Sequence, residues 1–323
     1  MQVTSGFRPA RGLSNRHLQT LLPAFGLVAT PRPPTRREVL SLPDGDTLAL
    51  DWLDKPADAD APVLVVLHGL EGSSDSSYAR GLLHAAGQNG WHALVMHFRD
   101  CGDHRNRLQR RYHAGETGDI EYCFDILRER FATNRLFAAG FSLGGNALLK
   151  YLGERGVLAH TNAAVAVSVP FELQKASDAI STGFSKVYQW HLMRNMKRAL
   201  RRKFAPHNAP FDYSAAMRTV TFEQFDDMVT APLHGFSGKD HYYQSCSCRQ
   251  FLADIGVPTL IVHAVDDPFM SEDMIPTDAE MSDHVTLELS THGGHVGFIE
   301  GDSPRRLGFW LPRRIISALE SHS

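Results

Sequence analysis

Five residues near the middle of the chain, Gly140-Phe141-Ser142-Leu143-Gly144, have the form G-x-S-x-G. Short Gly/Ser patterns arise by chance, so the flanks decide what this one means. An apolar run, Leu136–Phe141, precedes it, and a helix-forming stretch, Asn146–Tyr151, follows. Strand, sharp turn and helix together form the setting in which a serine hydroxyl is held above a sheet edge as a nucleophile. Glycines two positions either side of Ser142 let the chain turn without a Cβ clash. A helix N-terminus just beyond it favours negative charge. The plain alternative is a Gly-rich turn with an incidental serine.

A serine hydroxyl needs a base to take its proton, and the base needs an acid to orient it. Around such a turn the three follow in the order Ser, Asp/Glu, His, the later two at the ends of later strands. The run Thr259–Ala264 ends in Val265-Asp266-Asp267-Pro268, and Val285–Leu289 ends in Ser290-Thr291-His292-Gly293-Gly294-His295. Each therefore delivers two candidates. Pro268 forces the residue before it into an extended conformation, which favours Asp267 over Asp266. His295 is preferred over His292, although local chemistry decides neither pair. Charge developing on a substrate carbonyl oxygen also needs backbone donors in place. The Leu143 N–H is one. The other is expected from His68-Gly69-Leu70-Glu71-Gly72-Ser73, the loop after Val63–Leu67, at the Leu70 N–H. His68 reads as a hydrogen bonder that structures this loop rather than as a base. His68 and Gly69, with His97 and His113 from nearby strand ends, make up the expected substrate-contacting set. Arg99 and Glu116 are further candidates for that pocket, while Glu116 and Asp119 equally suit the start of a helix.

These residues need a scaffold that brings strand ends together. Apolar runs at Val63–Leu67, Ala93–Phe98, Leu136–Phe141, Ala163–Val169, Thr259–Ala264 and Val285–Leu289 are the strands of a buried parallel sheet. Helical patterns at Ser77–Gln88, Glu116–Phe131, Asn146–Glu154 and Arg305–Leu319 alternate with them. The expectation is an open, doubly wound α/β sheet binding its ligand beyond the carboxyl ends of the strands. Glu38–Leu42 and Thr47–Leu53 flank Pro43-Asp44-Gly45-Asp46, a hairpin signal. Residues 1–35 read as an ordered arm with a short helix in Leu13–Leu22, capped by Ser14 or Asn15. Residues 170–256 break the rhythm: Phe184, Val187, Tyr188, Leu192, Met196 and Leu200 fall at helical spacing, so this segment is expected as a helical cap. The core is then 36–169 together with 257–323.

Composition excludes other classes. Among 323 residues, 33 Lys+Arg oppose 36 Asp+Glu, a net charge of −3 that offers no field for nucleic acid. No run approaches the 18 apolar residues that suggest a membrane span, and Met1–Arg8 lacks the apolar stretch of a signal peptide. Four cysteines (Cys101, Cys123, Cys246, Cys248) are too few for a disulfide scaffold, so a reducing, cytoplasmic location is expected. The 17 histidines suggest metal binding at first, but none has metal spacing, and Cys246/Cys248 near His241 is poor zinc geometry. No Walker A loop, dinucleotide fingerprint or H-E-x-x-H occurs, and neither metal nor cofactor is expected. The basic run Arg194, Lys197, Arg198, Arg201, Arg202, Lys203 reads as a solvated face, with contact to phospholipid head groups as the alternative. Trp52, Trp91, Trp190 and Trp310 read as core or cap packing.

With these parts placed, the chain resembles the bacterial YheT-like hydrolases of the α/β-hydrolase superfamily, relatives of abhydrolase-domain esterases and medium-chain ester synthases. The resemblance spans nearly the whole length and is carried by Gly12–Thr20 (GLSNRHLQT), His68–Ser73 (HGLEGS), Met96–Arg99 (MHFR), Tyr112–Thr117 (YHAGET), Gly140–Asn146 (GFSLGGN), Asp266–Met270 (DDPFM) and His292–Phe298 (HGGHVGF). It implies a charge relay of Ser142, Asp267 and His295. It also implies carboxylic ester hydrolysis on short- to medium-chain acyl esters, with acyl transfer to alcohols or lipase and monoacylglycerol-type hydrolysis as alternatives. A ligand-binding pseudo-hydrolase is the non-enzyme alternative. One departure stands out: in Arg99-Asp100-Cys101-Gly102 the residue before the cysteine is Asp where relatives tend to have Gly, a change expected at the pocket rim.

Overall fold

The computed structural model describes residues 1–55, 57–303 and 306–322. Nine strands form one sheet: β1 (Gln2–Thr4), β2 (Thr35–Ser41), β3 (Thr47–Leu53), β4 (Val63–Leu67), β5 (His92–Met96), β6 (Leu136–Phe141), β7 (Ala163–Val167), β8 (Thr259–Ala264) and β9 (Val285–Ser290). Their order across the sheet is β1-β9-β8-β7-β6-β4-β5-β3-β2. From β1 to β5 every neighbouring pair is parallel. Strands β3 and β2 are added antiparallel at the far edge. The central strands β4, β6 and β7 are buried at every position, as their unbroken apolar sequences require once helices cover both faces.

Those helices are α1 (Arg16–Ala24), α2 (Ser77–Gln88), α3 (Gly118–Arg130), α4 (Leu143–Arg155) and, at the chain's end, α11 (Trp310–Glu320). One face of the sheet packs against α3 and α4 through Ile120, Phe124, Leu148 and Leu152. The other packs against α2 and α11 through Leu82, Leu83, Leu311 and Ile315. Between β7 and β8 the described residues contain no strand. They form α5 (Leu173–Ile180), α6 (Lys186–Lys203), α7 (Tyr213–Arg218), α8 (Phe222–Phe225), a π-helical turn at Asp226–Thr230, α9 (Ala231–Leu233) and α10 (Lys239–Cys246). This segment has its own apolar centre, where Met193, Met196 and Leu200 of α6 meet Phe225 and Val229. Its final turn, with Cys248 and Leu252, is instead part of the sheet's core.

Several expected boundaries shift for local reasons. β7 stops at Val167 because Ser168 takes φ +51 and turns the chain. α4 starts at Leu143, directly after the turn at Ser142, three residues earlier than its sequence pattern. α11 starts at Trp310, and Arg305, the expected first residue, lies outside the described residues. The arm does more than expected. Asn15 caps α1 by accepting from the His17 and Leu18 N–H groups, and the three residues of β1 extend the sheet beside β9.

Candidate active site

Ser142 sits between β6 and α4 at φ 52°, ψ −120°, a conformation that costs an L-residue of order 1–3 kcal/mol and persists only when its surroundings enforce it. They do so by close backbone approach. A Cβ on Gly140 would lie 2.6 Å from the Gly144 carbonyl oxygen, and one on Gly144 would lie 2.4 Å from that of His68. The Ser142 N–H is held by the Val167 carbonyl at 2.8 Å.

His295 bridges the serine and the acid. Its Nε2 lies 2.9 Å from Ser142 Oγ and its Nδ1 lies 2.8 Å from Asp267 Oδ2. Asp267 is fully buried, and its other carboxylate oxygen accepts the Phe269 N–H at 2.8 Å. The Phe269 ring stacks on the imidazole with centroids 4.0 Å apart and planes inclined by 16°. The other members of each candidate pair form a separate support. Asp266 accepts the Gly294 N–H at 3.0 Å, and its second oxygen is 3.5 Å from His292 Nδ1. So Asp266 holds the loop that carries His295.

Sequence reasoning missed what fixes the His295 loop from outside. Thr20 Oγ1 on α1 accepts the His295 N–H at 2.9 Å. Buried Gln19 accepts the Ile299 N–H at 2.6 Å and donates to the Leu13 and Ile299 carbonyls. The sequence places a short helix in Leu13–Leu22 and a motif over Gly12–Thr20, and neither says what the helix touches. Asn146, also inside a quoted motif, ties three segments together. Its Nδ2 donates to the Ala114 and Cys246 carbonyls, and its Oδ1 accepts the Cys248 N–H.

Ser142, Leu143 and Leu70 share a mostly apolar cavity of about 130 Å³, walled on the helical-segment side by Leu173, Ile180, Met196 and Phe222. The Leu143 N–H belongs to the first turn of α4, where no intrahelical acceptor exists. The Leu70 N–H has no backbone acceptor among the described residues. Gly69 lies beside the serine, with an ideal Cβ 3.3 Å from that of Ser142, but does not line the cavity. Its N–H is taken by the Tyr78 hydroxyl.

The expected histidine contacts are corrected. His68 is fully buried, accepting the Phe98 N–H at Nε2 while Nδ1 faces the Gly69 carbonyl. Burial, reinforced by nearby His97, pushes its pKa down to about 3. His97 points back into the sheet and contacts Asp51 at 2.8 Å. His113 packs behind Ala114 with its Nδ1 toward Cys246 Sγ, and burial, then Arg110, lowers its pKa to about 3. None of the three lines the cavity. Each stands at a strand end or on the loop near it, but its side chain turns away from the opening. Arg99 is likewise spent on Asp44 and Asp119, and Glu116 on Arg110.

Two readings of the helical segment also change. The basic run is not uniformly solvated: Lys203 is buried against Asp100 at 2.6 Å, and Lys197 donates to the Thr219 carbonyl. Trp190 is 62% exposed, with Arg194 over its ring. Asp100 adopts φ +64°, a conformation where glycine costs least. There it carries the Lys203 ion pair rather than forming the cavity rim. Among the described residues no group of three or more His, Cys, Asp or Glu could hold a metal ion, and no helix is long and apolar enough to cross a membrane. All four cysteines are unpaired and buried.

Comparison with known proteins agrees with this architecture. The alpha/beta hydrolase fold family matches residues 62–302. The protein called "Putative esterase YheT" of Escherichia coli (strain K12) is 43% identical over 320 residues, covering 96% of this chain and 91% of that protein. Human "Phospholipase ABHD3" is 29% identical over 99% of this chain and 80% of its own length. The esterase Pf2001 of Pyrococcus furiosus, a solved structure 17% identical, shares the fold with a TM-score of 0.58 over 91% of this chain and 98% of that one. A buried, mostly parallel sheet, a strained serine at its edge and these matches lead to one conclusion: the chain belongs to the α/β-hydrolase fold family, within its YheT-like branch.

Proposed function

We propose that the protein is a serine carboxylic-ester hydrolase working through Ser142, His295 and Asp267. The observation that carries this reading is the single imidazole within hydrogen-bond reach of both the strained serine and a buried carboxylate. His295 Nε2 takes the Ser142 proton as Oγ attacks the ester carbonyl, and the Leu143 and Leu70 N–H groups receive the charge on the carbonyl oxygen. His295 then passes the proton to the departing alcohol. A water deprotonated by His295 hydrolyses the acyl-enzyme, and Asp267 holds the imidazole in the required tautomer throughout.

The domain roles follow from the same reading. Residues 36–169 and 257–323 are the catalytic core, residues 1–35 an arm that braces the base's loop, and residues 170–256 a cap supplying the apolar wall. That wall supports short- to medium-chain acyl groups as substrates. Four free thiols fit action in a reducing cytoplasm. The test is hydrolysis of p-nitrophenyl butyrate and octanoate by wild type and Ser142→Ala. Loss of at least about a thousandfold in kcat is expected, and equal rates would end the proposal.

A further inference from the structure

Apart from Ser142 and Tyr242, whose hydroxyl accepts the Ala114 N–H, the polar groups of the cavity wall are gathered in one place. Asp226, Tyr243 and Ser177 face the same space as Ser142, and each is more than nine-tenths buried. Asp226 opens the π-helical turn, a distortion frequent at functional sites. One of its carboxylate oxygens accepts from Thr230 Oγ1 at 2.6 Å and the other from the Tyr243 hydroxyl at 2.8 Å. Burial in these surroundings pushes its pKa up to about 6 against the pull of those two donors. The Ser177 hydroxyl is oriented toward the Tyr243 oxygen, to which it can donate, but it has no partner at normal hydrogen-bond geometry among the described residues.

A pocket meant only for alkyl chains gains nothing from these groups. Burying a carboxylate and an unpartnered hydroxyl costs free energy that leucines would avoid. The pattern they leave is specific. The carboxylate has lone pairs beyond those occupied by Thr230 and Tyr243, so it accepts another hydrogen bond. Ser177 has a hydroxyl with no partner at normal hydrogen-bond geometry, so its proton is available to a better acceptor. One acceptor and one donor lining the same cavity match a single alcohol group, which donates one hydrogen bond and accepts one.

Resting on the esterase reading above, we propose that Asp226 and Ser177 form a subsite for a hydroxyl group carried by the ester substrate, with Tyr243 holding the carboxylate in place. The substrate class is therefore hydroxylated esters. The hydroxyl belongs either to the acyl chain or to a polyol alcohol, and the two sources have the same recognition chemistry.

The experiment measures, with the full chain, the ratio of kcat/KM for a hydroxylated ester to that for its plain counterpart. The acyl arm compares p-nitrophenyl 6-, 7- and 8-hydroxyoctanoate with p-nitrophenyl octanoate. The alcohol arm compares glycerol 1-octanoate with propyl octanoate. Wild type should favour at least one hydroxylated ester by about tenfold, the worth of one well-formed buried hydrogen bond. Ser177→Ala and Asp226→Asn should each bring that ratio to threefold or below. A general packing defect would depress both members of a pair alike and leave the ratio in place. Preference in the acyl arm identifies a hydroxyacyl ester, and preference in the alcohol arm identifies a polyol ester. The proposal is overturned if neither arm shows preference in wild type, or if the preference survives in either variant. Failure of the esterase reading is distinguishable, because there plain octanoate would be cleaved equally by wild type and Ser142→Ala.

Discussion

Two regions of the molecule bring the same three residue types together with opposite outcomes. At the cavity, His295 lies between Ser142 and Asp267. Beneath the loop after β4, Asp51 lies between Ser74, whose hydroxyl donates to Oδ2 at 2.6 Å, and His97, whose Nε2 is 2.8 Å from the same oxygen. Arg37 adds a bidentate pair to that carboxylate. A serine hydrogen-bonded to a carboxylate has no imidazole to take its proton, and here the histidine does not touch the serine. Although burial opposes it, hydrogen bonds from Arg37, His97 and Ser74 hold the Asp51 carboxyl well below the usual range. It is fixed as an anion that organises a loop. What separates the two clusters, which share Ser, His and Asp, is the order of their hydrogen bonds and the added Arg37.

That contrast breaks first at the two acids. Asp267→Asn should lower kcat about ten-thousandfold while the protein stays folded, because the imidazole loses the partner that sets its tautomer; ester hydrolysis and a thermal melt check both halves. Asp51→Asn should do the reverse. Removing a buried anion that three donors face costs about 3–5 kcal/mol of stability, read as a lower denaturant midpoint, with kcat within a few-fold of wild type.

Histidines sharpen the comparison through pH. His68 and His113, lowered to about 3 by burial first of all, bind fewer protons folded than unfolded between about pH 3 and 6.5. Stability therefore rises with pH across that window, is complete above about 6.5, and is lost on acidification. The two together should give about 3 kcal/mol per pH unit. Urea midpoints measured from pH 7 to 5 should fall steeply, and a flat profile would contradict the neutral, buried state of both rings. The smallest effect is expected at Thr20. Thr20→Val leaves the His295 N–H without its acceptor, and a misplaced base should cost about tenfold in kcat with little change in KM.

Much of this was legible because the chemistry lies at strand ends. The apolar runs gave β4, β6 and β8 to the residue, and chain order then put an acid and a base at neighbouring positions of one edge. Strand position does not say which way a side chain points. His97 leaves the end of β5 but turns toward β3, where Asp51 pairs with Val95 in antiparallel register. The helical segment was readable as helical and no further. Spacing along α6 gave Leu192 and Met196 a common face without showing that Ser177 and Asp226 meet the same cavity, since that depends on how α5 and the π-helical turn pack. Trp190 was misread because an isolated aromatic carries no signal of its exposure. β1 was invisible because three residues are too short to show a period.

The brace on His295 joins residues 275 positions apart in the chain. During synthesis the helix that holds the His295 loop is made well before the loop itself. Ser142 is likewise made 153 positions ahead of His295. Until then a nascent chain carries Ser142 without His295, and a serine without a base is a weak nucleophile. On the mechanism proposed above, activation of Ser142 therefore waits on closure of this long-range contact.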